Sequence, residues 1–405
     1  NSDPGNYPVT ASGATAANYD IIFVNGTLTI MTAPFEFNAM SAKTYGDADF
    51  DGGATSINTA QPIVYVSSNL SVATIVNGKI HIVGAGTTDI TASQLTDGYY
   101  PAGNITRQLV VNKAPSAIVY GALATKTYGN ADYIAAATSA NSAQTITYAS
   151  SNPAVATISS TGNIHIVGAG VTDITVSQPG NSNYLAESVI RQLTISKAAL
   201  TITADDKVKY EGQANPALTA TYTGFVLAET ASVLLTPAVI TTTAVTGSVP
   251  ATYPITVGGA TASNYVITFV SGNLQVNAKL TQTITFVAPT AKVYGNADFA
   301  AGGSSTNASI PVLYTSSNTA VATIVGTNVH IVGAGTADIT ASQAGSDVYV
   351  AATSVVKTLT VSKAALKITA DNKSKISEQV NPLLTVTYTG FVLSETSAVL
   401  QTPVV

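Results

Sequence analysis

The chain has no cysteine and no tryptophan, and charged residues make up only 9% of it. Without thiols it can form no disulfide, no thiolate nucleophile and no cysteine-based metal site. Without tryptophan it lacks the large indole platform on which a sugar ring stacks. Basic residues number 16 against 21 acidic ones, for a net charge of −5, and no basic patch occurs. That balance excludes a nucleic-acid partner. No apolar run is long enough for a membrane helix, so no membrane insertion is expected. The opening stretch NSDPGNYPVT has no basic or apolar signal-peptide region and no initiator Met. The chain therefore reads as a piece of something longer. What is present is an ordinary apolar fraction, 46%, rich in Thr, Val and Ile, which is not the composition of disorder. Few Lys and many Thr, Ser, Asn and Gly suit an extracellular β-protein.

Internal repetition fixes the organisation. YGDADF at Tyr45 returns as YGNADY at Tyr128 and YGNADF at Tyr294. In each copy a Tyr-x-Ser-Ser-Asn follows (Tyr65, Tyr148, Tyr314), then VATI, then HIVGAG, then Asp-Ile-Thr. These motifs define a B repeat over 34–113, 114–198 and 279–364. A second type, M, fills 199–278. Its opening, ALTITADDKVKYEGQANPALTATYTGF, returns from Ala365, and its close returns in residues 1–33. The order is half M, B, B, M, B, half M. Residues 1–32 and 365–405 together lack only the equivalents of Ile240–Thr246. The preferred reading is a cut through a continuous array. Head-to-tail complementation between chains is the alternative.

Within the repeats the apolar pattern has period two. KIHIV sets Ile80 and Ile82 on one face and His81 on the other. Gly, Asn, Asp and Pro clusters punctuate short strands, the pattern of β-sandwiches. The expected fold is all-β, a tandem array of Ig-like sandwiches forming an elongated rod.

VATIVNGKIHIVGAGTTDITAS resembles the signature stretch of bacterial group-2-type Ig-like domains. The M sequences, with ATYPITVGGATASNYVITFVSGNLQV as the close, resemble the MBG domain. Both kinds occur as long tandem arrays in giant secreted adhesins, notably of Bacteroidota, some of them gliding-motility adhesins. The resemblance covers nearly the whole chain. It implies a structural stalk or filament at a bacterial cell surface, with neighbouring repeats of the same or an adjacent chain as partners. A surface glycan or protein ligand would lie outside this segment. The second M departs from the first, with Ile376 where the first has Tyr210.

All three histidines, His81, His165 and His330, sit in HIVGAG. If each sandwich spans about 35–40 Å of a rod, the three rings cannot converge on one metal or one triad. A local partner for each lies eight residues on, at Asp89, Asp173 and Asp338. A hairpin at GAG would pair them, whereas the Ig-like resemblance implies a crossing between sheets that separates them. Duplication of a structural unit explains the recurrence. Asp47, Asp49 and Asp51 match the first half of a calcium loop, but Ile134 and Ala300 replace Asp51 in the other copies. A capped turn explains all three copies, and no metal or cofactor is assigned. Asp205 and Asp206, neighbours on a strand end, face opposite ways and cannot share acid–base work. Lys43, Lys126 and Lys292 precede each Tyr-Gly. The Ig-like resemblance raises an isopeptide crosslink there, and a solvated turn lysine is the preferred reading. Tyr65, Tyr148 and Tyr314 suit packing or a corner hydrogen bond. No catalytic residue is assigned and no enzyme activity is expected. The alternative to a stalk is a binding module that uses loops unique to one copy, such as QLTDGYYPAGN.

Overall fold

The computed structural model describes residues 2–31 and 34–404. The boundary set between residues 33 and 34 therefore touches residues outside those described. By compactness the chain divides into two units, Asn1–Leu200 with Gly224–Leu235 and Thr261–Ile267, and Thr201–Thr223 with Thr236–Ala260 and Thr268–Val405.

The first unit holds the first two B repeats. In Lys79–Ile82, Ile80 and Ile82 are buried while Lys79 and His81 are exposed. One sheet of the first B repeat runs in the order Lys43–Thr44, Gly103–Asn112, Gly86–Gln94, Val64–Ser67. Its first pair is parallel and the others antiparallel. The opposite layer holds the Ala73–Val76 and Lys79–Ile82 hairpin, with Phe50 bridged to Ile80. Phe37, Ile80, Ile82, Ile90, Leu109 and Val111 from both layers form one buried core. The second B repeat has the same strand order, Lys126–Thr127, Glu187–Ser196, Gly170–Gln178, Thr147–Ser150.

HIVGAG is the crossing between the two layers. The His81 strand and the Gly86–Gln94 strand belong to different sheets. The two glycines serve separate needs. A β-carbon on Gly84 would lie 2.6 Å from the Ser71 carbonyl oxygen. Gly86 has φ 146°, where an L side chain is strained.

A glutamine closes the long central strand of each B repeat and is buried. Gln178 Nε2 donates to the carbonyls of Asn141 and Gln144, both at 2.7 Å. Gln94 and Gln343 make the equivalent pair of bonds.

The second unit holds the third B repeat, whose core includes Phe286, Val329, Ile339, Leu359 and Val361. It also holds the larger sheet of the complete M repeat, ordered Lys207–Tyr210, Gly272–Asn277, Ala251–Gly258, Val239–Thr242. The smaller M sheet places Ala198–Ala204 between Ala220–Thr223 and Tyr265–Val270. Lys209 is 3% exposed, and its ammonium is held by the Val245 and Gln213 carbonyls at 2.6 and 3.0 Å.

The two end segments keep M pairing. Gly5↔Ile30 is the counterpart of Ala251↔Val276, and Lys367↔Thr389 of Thr201↔Thr223. Among the described residues the helical turns are 3-10 only, at Ala231–Val233 and Ser397–Val399. None is long and apolar enough to cross a membrane.

Ile80→Ala should destabilise the first B repeat by about 2–5 kcal/mol, read as a lowered denaturant midpoint of that repeat. A change under about 0.5 kcal/mol would mean that Ile80 is not in a packed core.

Candidate functional site

The histidines have carboxylate partners, but not the ones the sequence offered. His81 Nδ1 lies 2.7 Å from Asp49 Oδ1, His165 Nδ1 2.8 Å from Asp132 Oδ1, and His330 Nδ1 2.6 Å from Asp298 Oδ1. The partner comes from the YG-x-AD turn because that turn bridges to the histidine strand through Phe50 and Ile80. The layer crossing carries Asp89, Asp173 and Asp338 to the other sheet. Both members of each His–Asp pair are about half exposed, so each is worth at most about 1 kcal/mol.

The calcium-loop residues point in different directions. Asp47 Oδ2 accepts the Thr44 N–H at 2.8 Å, and Asn130 and Asn296 cap their turns in the same way. Asp49 serves His81, and Asp51 is exposed. Among the described residues no three His, Asp or Glu side chains converge on a point. Asp205 accepts from the Thr219 and Thr221 hydroxyls, which hold its carboxyl below the usual range. Asp206 instead accepts the Asn273 N–H at 2.6 Å.

The turn lysines are not simply solvated, which corrects the sequence reading. Lys43, Lys126 and Lys292 each hold their ammonium 4.6 Å from a ring centroid, over Phe50, Tyr133 and Phe299. The aromatic at the end of YG-x-AD-(F/Y) attracts the cation through its ring face. The recurrent tyrosines make corner bonds. The Tyr65, Tyr148 and Tyr314 hydroxyls accept the N–H of Ala54, Ala137 and Gly303 at 2.8–2.9 Å.

The repeated chemistry with the longest reach lies at the joints between repeats. At the first joint, Asn183 of the second B repeat places Oδ1 3.0 Å from the Ala85 N–H of the first. At the second, Asn264 of M places Oδ1 2.9 Å from the Ala169 N–H. The residue after each asparagine is a tyrosine that meets the tyrosine of the preceding Tyr-Gly edge-on. Tyr184 packs on Tyr45 at 5.4 Å and 82°, and Tyr265 on Tyr128 at 5.8 Å and 84°. A lysine just before the next repeat closes the joint. Lys113 Nζ donates to the Asn181 carbonyl at 2.6 Å and Lys197 Nζ to the Ala262 carbonyl at 3.2 Å, whereas Lys279, the first residue of the third B repeat, donates within that repeat to Ser346 at 2.7 Å.

The B-to-M joint adds a carboxylate. Glu229 accepts from both Tyr128 and Tyr265, and the Tyr265 hydroxyl accepts the Val226 N–H at 3.0 Å. Gly129 fits against this loop, since a β-carbon there would lie 2.6 Å from Val226.

The profile of the MBG domain (YGX type) matches residues 1–29, 200–275 and 366–404. These stretches lie within the three M segments, so the B-to-M joint ends on an MBG-type domain. Curated proteins yield no match. Similar solved structures include Drosophila N-cadherin EC1-4, 12% identical with TM-score 0.22, covering 80% of this chain and 99% of that one. Sidekick-1 immunoglobulin domains 1-5 are 10% identical with TM-score 0.24, covering 84% and 83%. Surface layer protein SbsC, domains 1-6, is 13% identical with TM-score 0.21, covering 96% and 53%.

The joint residues went unnoticed in the sequence because only GAG and Tyr-Gly lie in obvious motifs. Their partners, the Ser-Asn-Tyr of SNYLAE and SNYVIT, recur across two repeat types that otherwise share no pattern. That shared tripeptide was the available signal.

Burial and the bond to Glu229 push the Tyr265 hydroxyl up to about 12. The folded joint therefore holds that proton more tightly than the unfolded chain, whose tyrosines titrate near 10. This stabilisation is intact below about 10 and is lost as pH climbs to about 12. Denaturant melts of the MBG-type domain against pH should show that alkaline loss, and Tyr265→Phe should make it shallower. An identical slope in the variant would refute the assignment. His165→Ala should cost under about 1 kcal/mol by the same measurement.

Proposed function

We propose that this chain is a structural repeat region, a stalk or filament, of a large extracellular bacterial adhesin. Its role is to project a distal binding region from the cell surface, with neighbouring repeats as its working partners. The observation that carries the reading is the joint: successive repeats bind each other through side chains and backbone with almost no spacer. Glu187–Ser196 of the second B repeat and Ala198–Ala204 of M are separated by Lys197 alone. A Gly/Ser linker would let domains swing, whereas an abutting joint with several bonds resists bending. The MBG-type match and the resemblance of the B repeats to Ig-like domains of giant secreted adhesins support the same reading. Gliding-motility adhesins of Bacteroidota are the family context that resemblance favours. The segment is read as non-enzymatic.

A second reading, recognition of a surface glycan or protein, draws on one loop. In QLTDGYYPAGN, Asp97 Oδ1 accepts the N–H groups of Tyr99 and Tyr100 at 2.9 and 2.8 Å, and the Tyr99 side chain is 94% exposed. Retention of this fragment by an immobilised glycan, abolished by Tyr99→Ala, would favour that role.

Small-angle scattering tests the stalk. Five domain-lengths at about 40 Å give a maximum dimension of roughly 200 Å. A value near half of that, or a broad ensemble of bent shapes, would contradict a stiff stalk.

A further inference from the structure

At two core positions the second B repeat differs from its siblings by one oxygen each. Tyr120 stands eight residues before the tyrosine of Tyr-Gly, where the first and third B repeats have Phe37 and Phe286. Tyr133 stands five residues after it, where they have Phe50 and Phe299. The rings occupy the same places. Phe37, Tyr120 and Phe286 are buried against Tyr65, Tyr148 and Tyr314, with ring centroids 5.9, 6.4 and 5.6 Å apart. Arg107 Nε donates to the Phe37 carbonyl and Arg191 Nε to the Tyr120 carbonyl, at 2.8 and 3.1 Å. Tyr133 lies under Lys126 as Phe50 and Phe299 lie under Lys43 and Lys292.

The two added oxygens are left unsatisfied. Both are buried and have no hydrogen-bond partner among the described residues. Other hydroxyls of the same repeat are served: Tyr148 accepts the Ala137 N–H at 2.8 Å, and Ser116 donates to the Leu185 carbonyl. Burial pushes both hydroxyls up, Tyr120 to about 12 with Tyr133 and Tyr148 beside it, so both stay neutral phenols at neutral pH. A polar group that leaves water without gaining a partner destabilises the fold that buries it, and a phenyl ring in the same place does not.

Solvent is one short segment away. Tyr120 and Tyr133 line an open cavity of about 380 Å³, and residues 121–124 line it too. That segment runs between the Val119–Thr138 bridge and the Lys126–Thr127 strand, and Gly121, Ala122 and Ala124 are exposed. Its displacement admits solvent to both hydroxyls.

We propose that the second B repeat is the yielding link of the array. Its core opens before those of the first and third B repeats, because opening gives the Tyr120 and Tyr133 hydroxyls the partners that the folded interior denies them. The repeat is clamped on both sides, to the first B repeat through Asn183 and to M through Asn264. A load along the chain therefore passes through it. A stalk with one repeat of lower threshold lengthens there first and spares its neighbours. That use rests on the stalk reading; the order of opening does not.

The test is amide hydrogen exchange of the full chain, read by mass spectrometry strand by strand. The strands Thr147–Ser150 and Ala156–Ile158 are compared with Val64–Ser67 and Ala73–Val76 of the first B repeat, and with Leu313–Ser316 and Ala322–Val325 of the third. The strands of the second repeat should exchange about tenfold faster than their counterparts. Tyr120→Phe and Tyr133→Phe should each slow that exchange by about fivefold or more and leave the other two repeats unchanged. Phenylalanine already fills both positions in the sibling repeats, so neither variant threatens the fold. Equal protection of the three repeats in the unaltered chain would overturn the proposal. So would exchange that both variants leave unchanged or accelerate, since the hydroxyls would then be satisfied in the folded state. The experiment reads stability alone, so its failure leaves the stalk reading standing, and a bent or compact chain in scattering leaves the order of opening standing.

Discussion

The arrangement depends on one contact: an asparagine carboxamide of one repeat seated on the Gly-Ala-Gly crossing of the repeat before it. Asn183 and Asn264 make it with Ala85 and Ala169. The crossing offers its N–H because the glycines leave the approach open. A β-carbon on Gly84 would lie 3.2 Å from Asn183 Oδ1, and one on Gly168 3.3 Å from Asn264 Oδ1. A single such bond contributes about 1 kcal/mol, and an edge-on tyrosine pair adds about as much. With the junction lysine, each joint is worth a few times the thermal energy. That is enough to set an orientation and small beside the core of a sandwich.

This contact also explains why two different repeat types can alternate in one chain. The B and M repeats each build a four-stranded sheet whose first pair is parallel, on different sequences. The second B repeat and the complete M repeat both present Ser-Asn-Tyr at the end facing the previous repeat, and every B presents Gly-Ala-Gly and Tyr-Gly at its other end. The joint is thus a common connector attached to different bodies. The histidine of HIVGAG, though the most conspicuous repeated residue, stands outside it. It lies on an exposed strand position against the Asp of the neighbouring turn and was carried along when the unit was copied.

Much of the fold was legible from the sequence. Period-two alternation in KIHI placed Ile80 and Ile82 in the core and His81 outside. Repeated Tyr-Gly and HIVGAG marked the B units, and the capped turn followed from the replacement of Asp51 by Ile134 and Ala300 in the other copies. What could not be read was pairing over long separations. Asp49 lies 32 residues from His81 and Asn183 lies 98 from Ala85, and no periodicity links such positions. Asp89, eight residues from His81, was the nearest candidate in sequence, and the layer crossing that the Ig-like resemblance implied does separate the two. The buried Gln94, Gln178 and Gln343 were equally hidden. A polar residue at a strand end reads as solvent-facing until the loop carbonyls it must satisfy are known.

Amide hydrogen exchange at Ala85 and Ala169 in the full chain tests the joint most directly. Both amides lie in glycine-flanked crossings, where an unpaired N–H exchanges rapidly. The joint predicts protection comparable to the adjoining strands, lost at Ala169 alone in Asn264→Ala. Fast exchange at both amides in the unaltered chain would mean that the repeats are not clamped, and the account of the array would be wrong.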